Sequence, residues 1–337
     1  MQRRSFIAAL GAGAIAPAII ERRAEANTPT PPGYRITTWD AKEPGSTARV
    51  GSRDVTAAGD GTFWVCGQGN GTMLRLDPRT GDIRRVSLGQ GAAPHGVIRG
   101  PDGAAWVTEG GQNAIARVDP NDHRVQLWRL PDTFPNANLN TGVFDTHGIY
   151  WFTGQNGVVG RFNPATERMD VWAAPRGPGA YGITRTPQGT IWFVSLAGNY
   201  LAQIDDLDTG HVRVLDPPTP RQGARRVWTD SRGKLWVSEW NSGNVSMYDP
   251  AENRWGVWKL PGERPRCYSV WVDPDDKVWL TDFGANAILR FDPANQGFTA
   301  FPAPRQGADV RQMDGVSGQA WGAERANDKI IRIEYGL

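Results

Sequence analysis

The stretch PHGVIRGPDGAAWVTEGGQNAIARVDPNDHRVQLW, residues 94–128, decides the fold of this chain. It divides into four strand-like pieces, which are Pro94–Arg99, Ala105–Thr108, Ala114–Val118 and Val125–Trp128. Turn residues separate the pieces, as in the sequence Gly100-Pro101-Asp102-Gly103 ahead of the tryptophan. Short pieces rich in β-branched and aromatic residues predict four β-strands joined by tight turns.

The tryptophan of the second piece recurs along the whole chain. These anchor tryptophans are Trp64, Trp106, Trp151, Trp192, Trp236, Trp279 and Trp321, with successive spacings of 42, 45, 41, 44, 43 and 42 residues. A period of about 40 to 45 residues without a helical pattern is typical of four-stranded propeller blades. The sequence therefore predicts an all-β, seven-bladed β-propeller that forms one domain over residues 27–337.

The seventh repeat lacks its fourth strand, because the chain ends soon after the third one at Ile330–Ile333. Residues Tyr34–Trp39, ahead of the first repeat, match the fourth strand of other repeats, such as Arg254–Trp258. We predict that this N-terminal strand completes the last blade, since such a closure removes two open sheet edges.

The N-terminus carries the features of an export signal. Arg3-Arg4 precedes an apolar run, Phe6–Ile20, and Ala24-Glu25-Ala26 provides a cleavage site. The arginine pair resembles a twin-arginine signal. We predict a signal over residues 1–26 and a periplasmic or secreted mature protein with no membrane attachment after cleavage; an uncleaved anchor is the alternative.

Composition argues against a nucleic-acid partner and does not decide whether the two cysteines form a disulfide. The net charge is +2 with both signs interspersed, which gives no field for nucleic acid. The content of 41 Gly, 25 Pro and 15 Trp favours short strands and tight turns over long helices. Cys66 and Cys267 are expected to be buried free thiols, although an exported protein also permits a disulfide.

Two repeat positions hold polar side chains instead of packing residues. Eleven residues before each anchor tryptophan stand Arg53, His95, Asn140, Tyr181, Arg225, Tyr268 and Val310, the last followed by Arg311. Three residues after it stand Gly67, Glu109, Gly154, Ser195, Glu239, Asp282 and Glu324. Because inner strands line the channel of a propeller, we predict a pocket there for a small-molecule or peptide-like ligand. The binding candidates are Asn140, Arg225, Glu239, Asp282 and Glu324, and simple solvation of these charges is the alternative.

His95 is the histidine best placed for chemistry, since we expect the other three to lie in turns or connections. It begins an inner strand fourteen residues before Glu109 of the same repeat. Adjacent antiparallel strands can bring such a pair together at one end of a blade. A neutral imidazole accepts a proton, and a carboxylate orients it or holds a hard cation such as Mg²⁺.

The repeat resembles the blade signature of the virginiamycin B lyase (streptogramin lyase) family. The resemblance is carried by Pro94–Val97, Gly100–Gly103, Trp106–Glu109 and Ala114–Asp119, with weaker copies such as Trp236–Glu239. It implies ring opening of type B streptogramins, which are cyclic depsipeptides, by β-elimination. In that reaction a base removes the α-proton, Mg²⁺ stabilises the enolate and the ester carboxylate leaves from the β-carbon.

The resemblance also implies a site of two histidines in neighbouring blades and two glutamates that hold the metal. His95 matches the second histidine, and Glu109 matches one glutamate. Ala93 stands where the other glutamate is expected, and Arg53 stands where the first histidine is expected. One carboxylate binds Mg²⁺ more weakly than two, and an arginine repels a cation while it attracts an anion or an enolate.

Two functions from different classes are consistent with these residues. The first is a Mg²⁺-dependent carbon–oxygen lyase that acts on a cyclic depsipeptide or a related ester. In it His95 is the base, Glu109 binds the metal, and the developing negative charge is stabilised by Arg53, Tyr181 or Tyr268. The second is a non-catalytic periplasmic binding or scaffold propeller that uses the same side chains. We expect the enzyme, acting as a monomer.

Overall fold

Strands make up all of the regular structure in residues 32–336, which are the residues that the computed structural model describes. The predicted export signal, residues 1–26, lies outside this range. Within the range, no helix is long and apolar enough to cross a membrane.

Twenty-eight strands follow one another along the chain. The first half comprises β1 (Arg35–Asp40), β2 (Ser52–Ala57), β3 (Phe63–Gly67), β4 (Thr72–Leu76), β5 (Ile83–Ser87), β6 (Pro94–Arg99), β7 (Ala105–Glu109), β8 (Ala114–Val118), β9 (Val125–Arg129), β10 (Leu139–Phe144), β11 (Tyr150–Gly154), β12 (Val158–Asn163), β13 (Arg168–Ala173) and β14 (Ala180–Arg185). The second half comprises β15 (Ile191–Ser195), β16 (Tyr200–Asp206), β17 (His211–Leu215), β18 (Ala224–Thr229), β19 (Leu235–Glu239), β20 (Asn244–Asp249), β21 (Arg254–Lys259), β22 (Cys267–Val272), β23 (Val278–Asp282), β24 (Ala287–Asp292), β25 (Gly297–Pro302), β26 (Asp314–Val316), β27 (Gln319–Glu324) and β28 (Lys329–Glu334).

The strands form seven antiparallel sheets of four strands, and each sheet is one blade. Blade 1 is β2–β5, and the next five blades follow in groups of four up to β25. Blade 7 consists of β26, β27 and β28 with β1 as its outer strand, in a register that sets Arg35 opposite Glu334 and Asp40 opposite Lys329. The seven-bladed propeller and its closure by the N-terminal strand are therefore confirmed.

The anchor tryptophans lie in the second strand of each blade, and all seven are at most 2% exposed. The indole nitrogens of several bond to the preceding turn, as Trp106 does to Asp102 at 3.0 Å and Trp279 to Asp273 at 2.8 Å. In six blades the indole thus combines a large apolar burial with one satisfied polar group, while the Trp64 nitrogen has no partner among the described residues. The repeat exists because every blade needs this packing.

Hydroxyl groups and one close backbone approach fix the inner strands against one another. A Cβ atom on Gly96 would lie 2.5 Å from the carbonyl oxygen of Asn140, so only glycine allows blade 3 this close. Thr108 Oγ1 donates to the same carbonyl at 2.7 Å, and Ser238 Oγ donates to the carbonyl of Tyr268 at 2.7 Å. The backbone at Asn140 and Tyr268 is thereby held in place.

The two cysteines lie in different blades, Cys66 in β3 and Cys267 in β22. Both are fully buried and neither forms a disulfide. The expectation of two buried free thiols is confirmed.

Candidate active site

Contacts between non-neighbouring blades identify the side chains that face the central channel. The Tyr268 hydroxyl of blade 6 accepts a hydrogen bond from Arg53 Nη2 of blade 1 at 3.0 Å. It also lies 2.6 Å from the Tyr181 hydroxyl of blade 4. One blade separates the members of each pair, so they can meet only across the channel. We call the seven equivalent inner-strand residues the channel ring: Arg53, His95, Asn140, Tyr181, Arg225, Tyr268 and Arg311.

The seventh member of the channel ring is Arg311. In blades 1 to 6, one inner-strand residue pairs with the third residue after the tryptophan, and the ring residue comes next in the chain. In blade 6, for example, Cys267 pairs with Asp282, and Tyr268 is the ring residue. In blade 7 that pairing is made by Val310, opposite Glu324. The fixed spacing of eleven residues predicts Val310 for the ring and is wrong by one residue, because blade 7 is shorter there.

Tyr268 is the centre of a buried group of aromatic and cationic side chains. It has no exposed surface. The guanidinium carbon of Arg311 lies 4.6 Å from the centroid of its ring, and that of Arg225 lies 5.1 Å away. Arg53 is held on the other side by a bond from Nη1 to Gln68 at 2.9 Å. The Tyr268 hydroxyl is thus surrounded by positive charge.

This surrounding charge changes the acidity of the phenol. Burial by itself raises the pKa of a tyrosine, but here Arg53, Arg226 and Arg311 outweigh burial and lower the pKa of Tyr268 to about 7. Burial and the neighbouring Tyr268 raise the pKa of Tyr181. The pair therefore favours a phenolate on Tyr268 that accepts hydrogen bonds from Arg53 and from the neutral Tyr181.

Both ring nitrogens of His95 contact Asn140. Nδ1 lies 2.9 Å from the Asn140 carbonyl oxygen, and Nε2 lies 3.2 Å from the Asn140 side-chain nitrogen. A carbonyl only accepts, so Nδ1 carries the proton and Nε2 accepts from the amide. Burial and the charges of Arg53 and Arg226 lower the pKa of His95 well below its usual range. His95 is neutral, and the lone pair that a general base needs is engaged with Asn140.

Glu109 faces the loop of its own blade. Its carboxylate accepts hydrogen bonds from the backbone amides of Ala93, Gly111 at 3.2 Å and Gln112 at 2.7 Å. The side chain has no exposed surface. No hydrogen bond joins Glu109 to His95, so the structure does not bring together the pair that the sequence analysis placed at one end of blade 2.

The other three acidic residues at this repeat position behave like Glu109. Each accepts hydrogen bonds from donors of its own blade. These bonds run to Asp282 from the amides of Arg266 and Gly284, to Glu239 from the side chains of Ser242 and Asn244, and to Glu324 from the side chain of Asn327. The position thus closes a turn in four blades.

A buried ion pair crosses the channel directly below the ring. Arg226 Nη2 lies 2.8 and 3.1 Å from the two carboxylate oxygens of Asp54, and both side chains are at most 3% exposed. Arg226 Nη1 also donates to Thr141. Beyond the pair is a cavity of about 390 Å³ whose apolar lining includes Val97, Phe144, Ile183, Val227 and Met313. The ring residues therefore belong to the opposite end of the channel.

Four residues that the sequence analysis missed surround the ring at its end of the channel. They occupy the fourth position after an anchor tryptophan, and we call them the mouth layer: Gln68, Trp240, Phe283 and Arg325. Phe283 stacks on Tyr268 with ring centroids 5.1 Å apart, and the Arg225 guanidinium lies 4.7 Å from the Trp240 centroid. Strand alternation could have predicted them, because the fourth residue after the tryptophan points to the opposite side from the third, which faces the loop.

The family comparison agrees with this architecture. The family model described as the virginiamycin B lyase family matches residues 33–261, which is more than half of the chain. The chain belongs to the virginiamycin B lyase family. The resemblance that the blade motifs indicated is thereby confirmed.

Solved structures of virginiamycin B lyase share the fold. The selenomethionine-substituted enzyme from Staphylococcus aureus is 20% identical with a TM-score of 0.80, and the alignment covers 90% of this chain and 100% of that one. A catalytically inactive variant of the same enzyme with quinupristin is 20% identical, with a TM-score of 0.81 and the same coverage. A streptogramin B lyase is 19% identical with a TM-score of 0.80, over 89% of this chain and 97% of that one. No curated protein matches the sequence significantly.

The metal that the virginiamycin B lyase family implies does not fit the residues of this member. Mg²⁺ takes oxygen ligands, commonly from carboxylates. The carboxylate of Glu109 accepts three backbone amides, Ala93 offers no oxygen from its side chain, and Arg53 adds a positive charge to the same channel. Across residues 32–336 no cluster of three or more His, Cys, Asp or Glu is arranged to hold a metal ion.

Proposed function

We propose that this protein is a carbon–oxygen lyase that opens a depsipeptide or related ester by β-elimination, and that arginines serve where its relatives are expected to use a metal. The observation that carries the proposal is the Tyr268 hydroxyl, which is bonded to Arg53 and Tyr181 and packed beneath Arg311. Family membership supports the reaction class, and this cluster supports the assignment of groups.

Tyr268 is the proton acceptor in this proposal. A phenolate at neutral pH needs nearby cations, and Arg53, Arg226 and Arg311 supply them. His95 is less suited, because Asn140 engages its free lone pair. General bases act best when their pKa lies near the working pH.

The elimination balances without a metal. The Tyr268 phenolate takes the proton on the carbon next to the substrate carbonyl. The electron pair of that C–H bond becomes a carbon–carbon double bond as the bond from the β-carbon to the ester oxygen breaks. The carboxylate leaves with the electron pair of the broken carbon–oxygen bond. The charge that develops on the carbonyl oxygen is stabilised by Arg53, whose guanidinium lies at the Tyr268 hydroxyl. Water then takes the proton from Tyr268.

Access to Tyr268 requires movement of the arginines above it, since its side chain has no exposed surface. Arg225 and Arg311 are half-buried and contact it through the face of its ring. Such cation–π contacts contribute about 0.5–2 kcal/mol each. A substrate anion that bonds to either guanidinium supplies a comparable or larger interaction, so substrate binding draws these side chains off the phenol.

The second candidate is the non-catalytic binding propeller. The saturated hydrogen bonding of His95 with Asn140 favours it, because that pair behaves as a structural link between blades 2 and 3. In that case the channel ring binds a ligand without turnover.

Mass spectrometry separates the two candidates. The mature protein is incubated with quinupristin and with a panel of depsipeptides and esters in ¹⁸O-labelled water. Elimination opens a ring without a change of mass and incorporates no ¹⁸O, whereas hydrolysis adds one labelled water. We expect an eliminated product from at least one ester, and its loss by about a hundredfold or more in Tyr268→Phe. An unchanged panel, or full activity in Tyr268→Phe, contradicts the lyase proposal.

Export and a monomeric state remain part of the proposal. The arginine pair and the cleavage site within residues 1–26 support export. The N-terminal strand completes blade 7, and this closure of the ring supports a monomer. Cell fractionation and size-exclusion chromatography of the mature protein test the two points.

A further inference from the structure

Arginines crowd the ring end of the channel without an acidic partner. Arg53, Arg225, Arg266, Arg311 and Arg325 come from blades 1, 5, 6 and 7. Among residues 32–336, no carboxylate oxygen lies within 4.0 Å of a charged nitrogen of any of them. The acids of the same blades bond to their own turns instead. This end of the channel therefore carries a positive charge that the described chain does not neutralise.

Three of these five arginines contact aromatic rings. Arg225 lies 4.7 Å and Arg266 5.6 Å from the centroid of Trp240, and Arg311 lies 5.0 Å from that of Phe283. A guanidinium stacked on an aromatic ring keeps its edge N–H groups available for a planar anion. The stacking thus orients these donors without using them.

Several of these donors are buried and lack an acceptor. The Nε atoms of Arg53, Arg225, Arg311 and Arg325 have no hydrogen-bond partner within the described structure. The Nε atoms of Arg226 and Arg332, whose charges are paired with acids, also lack a partner. The feature that indicates an anion from outside the chain is therefore the absence, among the described residues, of an acid beside these four arginines, because buried charges in folded proteins are normally paired. Burial and the charges of Arg311 and Arg53 lower the pKa of Arg325, as expected where cations repel one another.

We propose that the mouth layer and the channel ring bind a ligand that carries a carboxylate on a planar apolar group. The carboxylate bonds to Arg225 and Arg311, and the planar group packs against Trp240 and Phe283. This inference rests on the proposed function only in treating the site as the one that receives substrate; the binding itself requires no turnover. The substrate class that follows is an anionic ester in which a planar apolar group carries the carboxylate.

Isothermal titration calorimetry of the full mature protein tests this site with simple probes. The probes are benzoate, its neutral counterpart benzamide, phenylphosphonate and inorganic phosphate. We expect benzoate and phenylphosphonate to bind, benzamide not to bind, and affinity to fall as salt is added. Inorganic phosphate is expected to bind more weakly than phenylphosphonate, because it lacks the planar group.

Matched variants separate a built site from general positive charge. Arg225→Gln and Arg311→Gln are each expected to weaken benzoate binding by about tenfold, which corresponds to about 1.4 kcal/mol. Arg185→Gln removes an exposed arginine at the other end of the channel and is expected to leave binding unchanged. Circular dichroism and the thermal midpoint confirm that each variant is folded.

Three outcomes overturn the inference: equal binding of benzamide and benzoate, no binding of any anion, or equal losses in Arg185→Gln and Arg311→Gln. Inorganic phosphate that binds as tightly as phenylphosphonate overturns the planar half of the proposal. Benzoate binding by a protein that eliminates no ester supports this inference and contradicts the lyase, so the two failures are distinguishable.

Discussion

The arginines on the blade faces and those at the ring end of the channel make the same aromatic contact but differ in charge balance. On the faces, Arg75, Arg161 and Arg332 lie 5.2, 5.7 and 5.5 Å from the centroids of anchor tryptophans. Each also pairs with an acid: Asp60 at 2.5 Å, Asp170 at 2.9 Å and Glu334 at 3.0 Å. At the ring end, Arg225 and Arg311 have aromatic contacts and no acid among the described residues.

The adjacent residues Arg225 and Arg226 repeat this contrast within a single strand. Arg226 points below the ring and is neutralised by Asp54, while Arg225 points to the mouth and contacts Trp240. An arginine whose charge is met by its own chain stabilises the fold. An arginine that lies beside aromatic rings without a carboxylate partner is available to a ligand.

The largest expected effect comes from breaking the buried pair. Asp54→Asn leaves Arg226 buried without a counter-charge, so the free energy of unfolding is expected to fall by about 3–5 kcal/mol. Guanidinium-induced unfolding measures this. Arg225→Gln is the neighbouring control: it loses cation–π contacts but leaves no buried charge unpaired, and is expected to cost about 1–2 kcal/mol. Similar losses in the two variants would remove the distinction between them.

A pH dependence is expected from Tyr268. Its pKa in the folded protein, about 7, lies below the value of about 10 for an unfolded tyrosine, so the folded state binds fewer protons between these values. Its contribution to stability is therefore complete above about pH 10 and is lost as the pH falls through about 7. Over this range the stability of the native protein relative to Tyr268→Phe is expected to rise with pH, by at most about 1.4 kcal/mol per pH unit. A difference that is constant with pH would show that Tyr268 keeps an ordinary pKa.

The smallest expected effect is a difference in thermal stability between a variant of a face arginine and a variant of a mouth arginine. Arg161→Gln loses two cation–π contacts and an ion pair with Asp170 and is expected to cost about 1–2 kcal/mol. Arg311→Gln loses two cation–π contacts but also relieves repulsion with Arg325, so its thermal midpoint is expected to fall less than that of Arg161→Gln. A larger loss in Arg311→Gln than in Arg161→Gln would reverse the comparison.

Repetition explains why so much of the fold followed from sequence. Every blade needs the same buried tryptophan, so the anchor positions located the strands, the blade number and the closing strand Arg35–Asp40. The same regularity located six of the seven channel ring residues. It failed for Arg311, since one missing residue in blade 7 does not alter the tryptophan spacing by a recognisable amount.

The contacts of the site residues could not be predicted from the sequence, because they depend on the direction of each side chain. Glu109 and His95 are close in the chain and chemically suited to each other, yet the first bonds to a turn and the second to Asn140 in the next blade. Contacts across the channel, such as Arg53 with Tyr268, join residues more than two hundred positions apart. No spacing within a repeat reports on such a contact.

Elimination measured in the presence of EDTA tests most directly whether arginines and a phenolate act here in place of a metal. Using the ester from the panel that gives product, the expected rate is the same with EDTA as with added Mg²⁺, and Tyr268→Phe abolishes it while still binding benzoate. Elimination that requires Mg²⁺ and survives Tyr268→Phe would contradict this account and return the chemistry to His95 and Glu109.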